Sequence, residues 1–438
     1  MNKEILRLAI PNVISNISIP LLSTVDTALM GRLSELHLGA VGIGAMIFNI
    51  LYWNLGFLRM GTTGITAQAY GKKDKVEIIH TLGRAMLLVI LLSSLLVLFR
   101  QPLANWMIQL MNISEAQIPL VQNYFFIRIW AAPATIALFA ILGWFFGMQN
   151  AVLPLVLTIV INVVNIISSY YMVHILGWGI AGVAWGTVLA QYVGVLVALI
   201  LFWINYRTFI KMFHRKALYQ LEALKSFLQI NKDIFIRTVC LTTAFGFFYR
   251  QSAAQGASIL AINVILLQFV NWMSYGVDGF AYASESLVGK YKGAGVNKQL
   301  QAAIRLSFFW GIGLAVVYTV SYFLFSDILL GLFTDQAHLL VQSQSYLIWV
   351  ILFPLIGTPC YIWDGVFIGL TASKAMRQTM LIAVGLYIGV FYMLPTSLSN
   401  HGLWLALLAF MAARGGLQWF WYHWFVKYEN VVPSSINR

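Results

Sequence analysis

The chain has 438 residues, of which 60% are hydrophobic and only 9% are charged, and its formal net charge is +13. Soluble proteins are roughly a quarter charged, so the composition excludes a soluble domain and makes the lipid bilayer the relevant solvent. The basic residues form short clusters between apolar runs rather than one patch, which argues against a nucleic-acid partner and favours anionic lipid headgroups.

The first apolar run covers residues 6–33. It is longer than the roughly 7–15 residues of a signal-peptide core, and no small-residue cleavage site follows a short apolar block, so we expect it to remain as the first membrane span. Apolar runs bounded by Gly, Pro, Asn and charge predict twelve spanning helices in all. They lie near residues 6–33, 38–68, 81–99, 118–143, 151–173, 179–205, 234–254, 257–287, 301–325, 341–370, 377–396 and 401–426.

Lysine and arginine separate by loop parity. The even-numbered loops and both ends of the chain hold most of them, including Lys72, Lys73, Arg215 and Lys298, whereas the odd-numbered loops hold far fewer. The positive-inside rule therefore predicts a multi-pass protein with both termini in the cytoplasm.

The longest polar stretch, residues 206–233, falls at the middle of the chain. Leu, Phe and Ile alternate there with Lys and Arg at helical spacing, which predicts an amphipathic surface helix. We interpret it as a cytoplasmic linker between a six-helix bundle at 1–205 and a second at 234–438.

The two halves resemble each other. The stretch "GWFFGMQNA" at residues 143–151 matches "GVFIGLTAS" at 365–373, an offset of 365 − 143 = 222. The stretch "AQAYGKK" at 67–73 matches "ESLVGKY" at 285–291, an offset of 285 − 67 = 218. Duplicated units of six spans enter the membrane with the same orientation, which predicts an all-α, pseudo-symmetric pair of bundles suited to alternating access.

Signatures of enzymatic chemistry are missing from the sequence. No G-x-x-x-x-G-K-[ST] phosphate loop occurs, and no His and carboxylate spacing indicates a metal site. The two cysteines, Cys240 and Cys360, both lie in apolar segments and are interpreted as packing residues. We expect a transporter rather than an enzyme, with an integral membrane enzyme as the alternative class.

The first predicted span contains a carboxylate, Asp26, in "PLLSTVDTALMGRL". A charge in a transmembrane helix is costly and marks a functional or a paired site. The corresponding residues of the second half, 244–248, contain no acid. Because hydrocarbon favours the protonated form of an unpaired carboxylate, Asp26 suits a proton carrier. A structural hydrogen-bonding role is the alternative.

Span 5 places amides and a hydroxyl on one helical face, at Asn162, Asn165 and Ser169. Asn165 and Ser169, with Thr187 of span 6, are predicted to lie in the outer half at the depth of Asp26, and span 4 starts on that side with Tyr124. Each alone suits helix-to-helix hydrogen bonding, and together they indicate a proton or substrate site.

Two prolines, Pro11 and Pro20, interrupt the hydrogen-bond ladder of span 1, so we expect that helix to bend. A bending helix that carries an intramembrane acid is a candidate moving part.

The remaining intramembrane charges suggest a gate or a polar network in the second bundle. An offset of 218 aligns Asp278 with Met60, so Asp278 could pair with Arg59 across the two halves. Pairing of Asp278 or Asp364 with Arg237 or Arg250 inside the second bundle is the alternative. The acids considered are Asp278, Glu285 and Asp364.

Several motifs together resemble the multidrug and toxic compound extrusion (MATE) family, in its DinF-like branch. They are "LAIPNVISN", "VDTALMGRL", "LRMGTTGITAQAYG", "NVVNIISSYYMVHILGWGIAGVAWGTVLAQ", "VDGFAYASESLVGK" and "WDGVFIGLTASKAMR". The resemblance covers essentially the whole chain. It implies a twelve-helix antiporter of the bacterial inner membrane, which exports lipophilic, often cationic compounds in exchange for protons or sodium. We expect the protein to be a monomer and to need no cofactor.

The resemblance also implies roles for single residues. The aspartate of "VDT" is the protonation site of DinF-like relatives, which carries onto Asp26, and their bending proline carries onto Pro11. Their N-bundle network carries onto Asn165 and Thr187, and more loosely onto Tyr124.

The chain departs from the family pattern at two positions. Many relatives have an aspartate four residues after the span-5 asparagine, where this chain has Ser169, so a two-carboxylate proton or sodium site in the first bundle is not expected and coupling would rely on Asp26 alone. The span-10 acid of sodium-coupled relatives would fall near Gly357, so Asp364 does not match it, which favours proton coupling. A sodium-coupled antiporter and a lipid-linked precursor flippase of the same superfamily remain the alternative functions.

Overall fold

The chain folds into helices along its whole described length in a computed structural model. The structure describes residues 1–31, 35–111, 113–334 and 336–426, without the side chains of residues 19–31, 35, 425 and 426. Its contacts divide it into two compact units. The N unit is Ile14–Gln229, and the C unit is residues 230 onward together with Met1–Val13.

The N unit contains the helices of the first half. They are α1 (Asn2–Gly31, from residue 14), α2 (Glu35–Leu55), α3 (Phe57–Gly71), α4 (Lys75–Leu98), α5 (Arg100–Leu110), α6 (Ile118–Arg128), α7 (Ala132–Gly147), α8 (Val152–Tyr170), α9 (Gly179–Tyr206) and α10 (Arg215–Leu218). A short 3₁₀ turn, Ile129–Ala131, joins α6 to α7. The predicted spans 2 and 4 are therefore each built from two consecutive helices.

The C unit contains the helices of the second half. They are α11 (Leu221–Ala254, from residue 230), α12 (Ala257–Gly293), α13 (Asn297–Gly331), α14 (Ala337–Gln344), α15 (Leu347–Gly369), α16 (Ser373–Met393) and α17 (Ser399–Trp421). Predicted span 10 is divided between α14 and α15.

Ten helical stretches of the described chain are long and apolar enough to cross a membrane. Helices α1 and α11, of 30 and 34 residues, are also long enough to span a bilayer. Together they fit the twelve predicted spans, and the all-helical fold class of a multi-pass membrane protein is confirmed.

The first thirteen residues belong to the C unit, although the sequence predicts an N-terminal bundle at 1–205 that includes them. Glu4 accepts hydrogen bonds from Lys290 Nζ and Tyr291 Oη, both at 2.9 Å. Gly279 leaves room for Ala9 and Val13 to pack on α12. These contacts attach the start of α1 to α12.

The internal repeat is visible in the packing of each unit. A Cβ at Gly143 would collide with the carbonyl oxygen of Arg59, and a Cβ at Gly365 would collide with that of Ala281. The two contacts are related by 365 − 143 = 222 and 281 − 59 = 222. The same close approach of two helices is therefore built twice.

Turn geometry repeats at the same offset. Positive φ angles occur at Gln149 (62°) and Thr371 (54°), and again at Lys73 (59°) and Gly295 (69°). Here 371 − 149 = 222 and 295 − 73 = 222. The offset of 218 taken from "AQAYGKK" is therefore wrong by four residues. Two alignments of the halves that differ by about one helical turn superimpose the same helical face. The apolar pattern alone therefore could not distinguish an offset of 218 from one of 222.

The corrected offset changes one alignment. Asp278 corresponds to Gly56 rather than to Met60, because 278 − 56 = 222, and the repeat argument for placing Asp278 beside Arg59 no longer holds.

The predicted linker is not one continuous surface helix. It contains a 3₁₀ segment (Arg207–Met212), the single turn α10 and the start of α11. Phe213 and His214 between them are extended. The backbone N–H of His214 donates to His80 Nε2 at 3.1 Å, so a tertiary contact takes the place of a helical hydrogen bond.

Candidate functional site

The predicted span-5 and span-6 polar residues meet in the interior of the N unit. Asn165 Nδ2, on α8, donates to Thr187 Oγ1, on α9, at 3.0 Å. The Thr187 hydroxyl donates in turn to the carbonyl of Val183 at 3.1 Å. The two side chains are only 1% and 3% exposed. An amide and a hydroxyl are thus held together inside an apolar bundle.

Ser168 and Ser169 lie where α8 comes closest to α9. The Ser168 hydroxyl donates to the carbonyl of Gly186 at 3.1 Å. A Cβ at Gly186 would collide with Ser169, so only glycine allows this approach.

Two polar atoms of this region have no hydrogen-bond partner within the described part of the chain. They are Asn165 Oδ1 and Ser169 Oγ, and both are buried. An unsatisfied buried polar atom costs about 1–3 kcal/mol, so each of these oxygens calls for a further partner such as an ordered water, a proton donor or a ligand.

Helix α1 contacts the same face of α8. Ser15 donates to Thr158 Oγ1 at 2.8 Å, and Asn162 Nδ2 donates to the carbonyl of Ser18 at 3.3 Å. The contacting residues advance together along both helices, so the two helices run parallel.

Asp26 and Pro20 lie within α1, and their side chains fall outside the described residues. Pro11 is partly buried in the same helix, which is continuous from Asn2 to Gly31. The predicted bend at the prolines stays a prediction.

Tyr124 belongs to an aromatic cluster around Arg128. Arg128 Nη1 donates to Tyr124 Oη at 3.0 Å, and its guanidinium lies 5.3 Å from the ring centre of Phe48. Arg59 is also buried, with its guanidinium 5.8 Å from the ring centre of Phe146. Both arginines therefore gain cation–π contacts within the N unit.

A second polar cluster lies inside the C unit and is centred on Asp364 of α15. Its Oδ2 accepts hydrogen bonds from Arg237 of α11 and from Arg414 of α17, the latter at 2.7 Å. Its Oδ1 accepts from Gln418 Nε2 at 2.7 Å. The pairing of Asp364 with Arg237, one of the alternatives left open by the sequence, is therefore present.

The other predicted members of this network lie on helices α11 and α12 of the C unit. Arg250 is exposed near the end of α11. Asp278 is partly buried and Glu285 is fully buried in α12, where the Glu285 carbonyl contacts Gly369.

Sequence reasoning missed Arg414 and Gln418. The sequence feature that could have indicated them is a basic residue within the apolar run "FMAARGGLQW" of the last span. Their counterparts at the repeat offset are Tyr192 and Leu196, because 414 − 192 = 222 and 418 − 196 = 222. The charged cluster therefore belongs to one unit only.

Comparison with known proteins gives matches along nearly the whole chain. The model of the MatE family matches residues 11–171 and 235–393. DNA damage-inducible protein F of Escherichia coli (strain K12) is 36% identical over 94% of this chain and 90% of its own length. Multidrug and toxin extrusion protein 1 of Oryctolagus cuniculus is 24% identical over 93% of this chain and 72% of its own length.

A similar fold occurs among solved structures. The outward-facing conformation of a multidrug resistance MATE family transporter of the MOP superfamily superimposes with a TM-score of 0.87. The alignment covers 98% of this chain and 96% of that one, at 18% identity. The two segments matched by the family model begin at residues 11 and 235 and end at 171 and 393, so the family pattern is itself present twice.

Proposed function

The chain belongs to the MatE family of transporters, and from that premise we propose that it exports lipophilic, often cationic compounds in exchange for protons. Members of this family are transporters rather than enzymes, and the chain is a multi-pass membrane protein. We place it in the bacterial inner membrane as a monomer with both termini in the cytoplasm. Export by alternating access of the two units follows from the duplicated architecture.

The observation that carries the proposal is the buried polar face of α8 in the N unit. Asn165 and Ser169 each hold an oxygen without a hydrogen-bond partner in the described residues. The bundle around them is apolar, so these atoms are costly unless a proton donor, a ligand or an ordered water pairs with them. This face is also the one that contacts α1.

The register between α1 and α8 predicts where Asp26 lies. The contacts of Ser15 with Thr158 and of Ser18 with Asn162 give offsets of 158 − 15 = 143 and 162 − 18 = 144. If the two helices stay parallel and the offset of 143 is kept, Asp26 lies level with Ser169, because 169 − 26 = 143. The coupling carboxylate and the unsatisfied oxygens are then expected at one depth.

In the proposed cycle, Asp26 takes a proton from outside in the outward-open state. Neutralisation lets α1 bend or repack, which weakens substrate binding and releases the compound. After the inward opening Asp26 loses the proton, and the recovered negative charge favours a cationic substrate. The inward proton gradient thereby drives outward movement.

The C unit supports protons rather than sodium as the coupling ion. Asp364 already accepts hydrogen bonds from two guanidinium groups, so a cation approaching this carboxylate would meet two positive charges. Ser169 supplies a hydroxyl where a second carboxylate would be needed for a sodium site in the N unit.

Everted membrane vesicles test the proposal. We expect an acid-inside gradient to drive uptake of a fluorescent lipophilic cation in the wild type and in Asp26→Glu, but not in Asp26→Asn. A sodium gradient without a pH difference should drive no uptake. Full proton-driven uptake by Asp26→Asn would overturn the proposed coupling residue, and sodium-driven uptake would overturn the coupling ion.

A further inference from the structure

The segment that joins α9 to α11 has one packed face. Phe209 lies 6.1 Å from Trp144 between ring centres, within the apolar core of the N unit. Leu218 and Phe227 are also buried. Together with the hydrogen bond from His214 to His80, these contacts fix residues 207–228, here called the basic segment, on the N unit.

Other large apolar side chains of the basic segment remain largely exposed. Leu221 is 77% exposed and Tyr219 is 58% exposed, and Ile210 and Leu228 are each more than 40% exposed. The packed face already supplies the apolar contacts that hold the segment. The exposed side chains therefore indicate contact with a second apolar surface.

Positive charge is interleaved with these apolar side chains. Five basic residues of the segment are exposed, and Glu222 is its single acid, so its net charge is +4. The basic residues are Arg207, Lys211, Arg215, Lys216 and Lys225. Exposed bases alternating with aliphatic and aromatic side chains are the pattern of a segment that lies in the plane of an anionic membrane surface.

The position of the segment favours lipid over a soluble partner. It directly follows Trp203 and Ile204, which are exposed on the last turn of the membrane-spanning helix α9. Residues a few positions further on therefore lie at the depth of the headgroups, where tyrosine is enriched in membrane proteins. A polar partner would leave Leu221 and Ile210 in contact with water.

We propose that residues 207–228 form a docking surface for anionic phospholipid headgroups. The bases bind the phosphates, while Ile210, Tyr219 and Leu221 enter the boundary between headgroups and acyl chains. The 3₁₀ segment and the turn α10 are kept on the bilayer surface by this contact. The proposal is independent of the exported compound and of the coupling ion, since it involves no transport step.

The test places an environment-sensitive dye in the full-length chain at Tyr219→Cys, after replacement of Cys240 by Ser and Cys360 by Ala. The labelled protein is reconstituted into nanodiscs of phosphatidylcholine with increasing fractions of phosphatidylglycerol. We expect the dye emission to shift to the blue as phosphatidylglycerol increases, and high salt to reduce the shift.

Two triple variants decide the outcome. Lys211→Gln, Arg215→Gln and Lys216→Gln together should abolish the dependence on phosphatidylglycerol. The matched control, Lys72→Gln, Lys73→Gln and Lys298→Gln, removes the same charge from exposed positions elsewhere and should keep it. The proposal would be overturned if the dye emission did not depend on the fraction of phosphatidylglycerol. It would also be overturned if the triple variant at Lys211, Arg215 and Lys216 behaved like the wild type.

Discussion

Arg414 Nη2 donates to Asp364 Oδ2 at 2.7 Å, and the two side chains are only 2% and 9% exposed. Arg237 donates to the same oxygen from another helix. One carboxylate therefore joins α11, α15 and α17 in the interior of the C unit. The attraction offsets the cost of burying three charges, so the arrangement depends on every partner being present.

Asp364→Asn should strongly destabilise the protein, because it leaves Arg237 and Arg414 facing each other without the negative charge. Removing one partner of a buried ion pair costs about 3–5 kcal/mol. Arg414→Met should cost less, since Asp364 keeps Arg237. Thermal unfolding of the purified variants in detergent measures the order, with Asp327→Asn as the exposed control. Equal melting temperatures for Asp364→Asn and wild type would contradict this ranking.

Thr187→Val should cost about 1–3 kcal/mol of stability, because it leaves the Asn165 amide donor buried without its acceptor. Thr187→Ser keeps the hydroxyl and should retain most of the stability. If these residues belong to the proton site, the valine variant also shifts the pH profile of exchange in everted vesicles. An unchanged pH profile would mean that Asn165 and Thr187 take no part in proton coupling.

Gly186→Ala should separate α8 from α9, because the new Cβ would collide with Ser169. Overpacking of this kind costs roughly 1–3 kcal/mol. Gly42→Ala is the matched control in the same unit, because no atom lies within 4 Å of its added Cβ. Thermal unfolding and efflux should both decline for the first variant only. A Gly186→Ala protein as stable as the control would argue against the close approach.

The contact of Glu4 with Lys290 and Tyr291 should weaken in acid. Burial raises the pKa of the Glu4 carboxyl, but the hydrogen bonds from Lys290 and Tyr291 and the charge of Lys290 outweigh it, so its pKa lies below the usual value. The stabilisation is therefore present above the ordinary carboxyl pKa and is lost as the pH falls through the lowered one.

Its size should stay under about 1 kcal/mol, because the carboxylate is partly exposed to water. Amide hydrogen exchange in the first turns of α1 measures the effect as the pH falls below about 4. Glu4→Gln should show the faster exchange already at neutral pH, whereas Glu115→Gln, an exposed acid elsewhere, should not. Identical exchange in Glu4→Gln and wild type would mean that the ion pair does not hold this end of α1.

The polar residues of the N unit were predicted only in part from the sequence. The spacing of Asn162, Asn165 and Ser169 predicted one helical face, and in the structure Asn165 donates a hydrogen bond to Thr187. Helical periodicity is local, so it can be read directly. The unsatisfied oxygens of Asn165 and Ser169 could not be predicted, because they depend on how closely α8 approaches α9.

The membrane-spanning helices, their approximate boundaries and the duplication were determined by the sequence alone. A bilayer requires each span to be apolar and internally hydrogen-bonded, so the local sequence is enough to predict where the spans lie. The choice of 222 rather than 218 as the repeat offset, the partners of Asp364 and the break at Phe213 and His214 were decided only by the tertiary structure. A four-residue slip preserves the helical face, and ion pairs between distant helices depend on packing, so no local pattern distinguishes these alternatives.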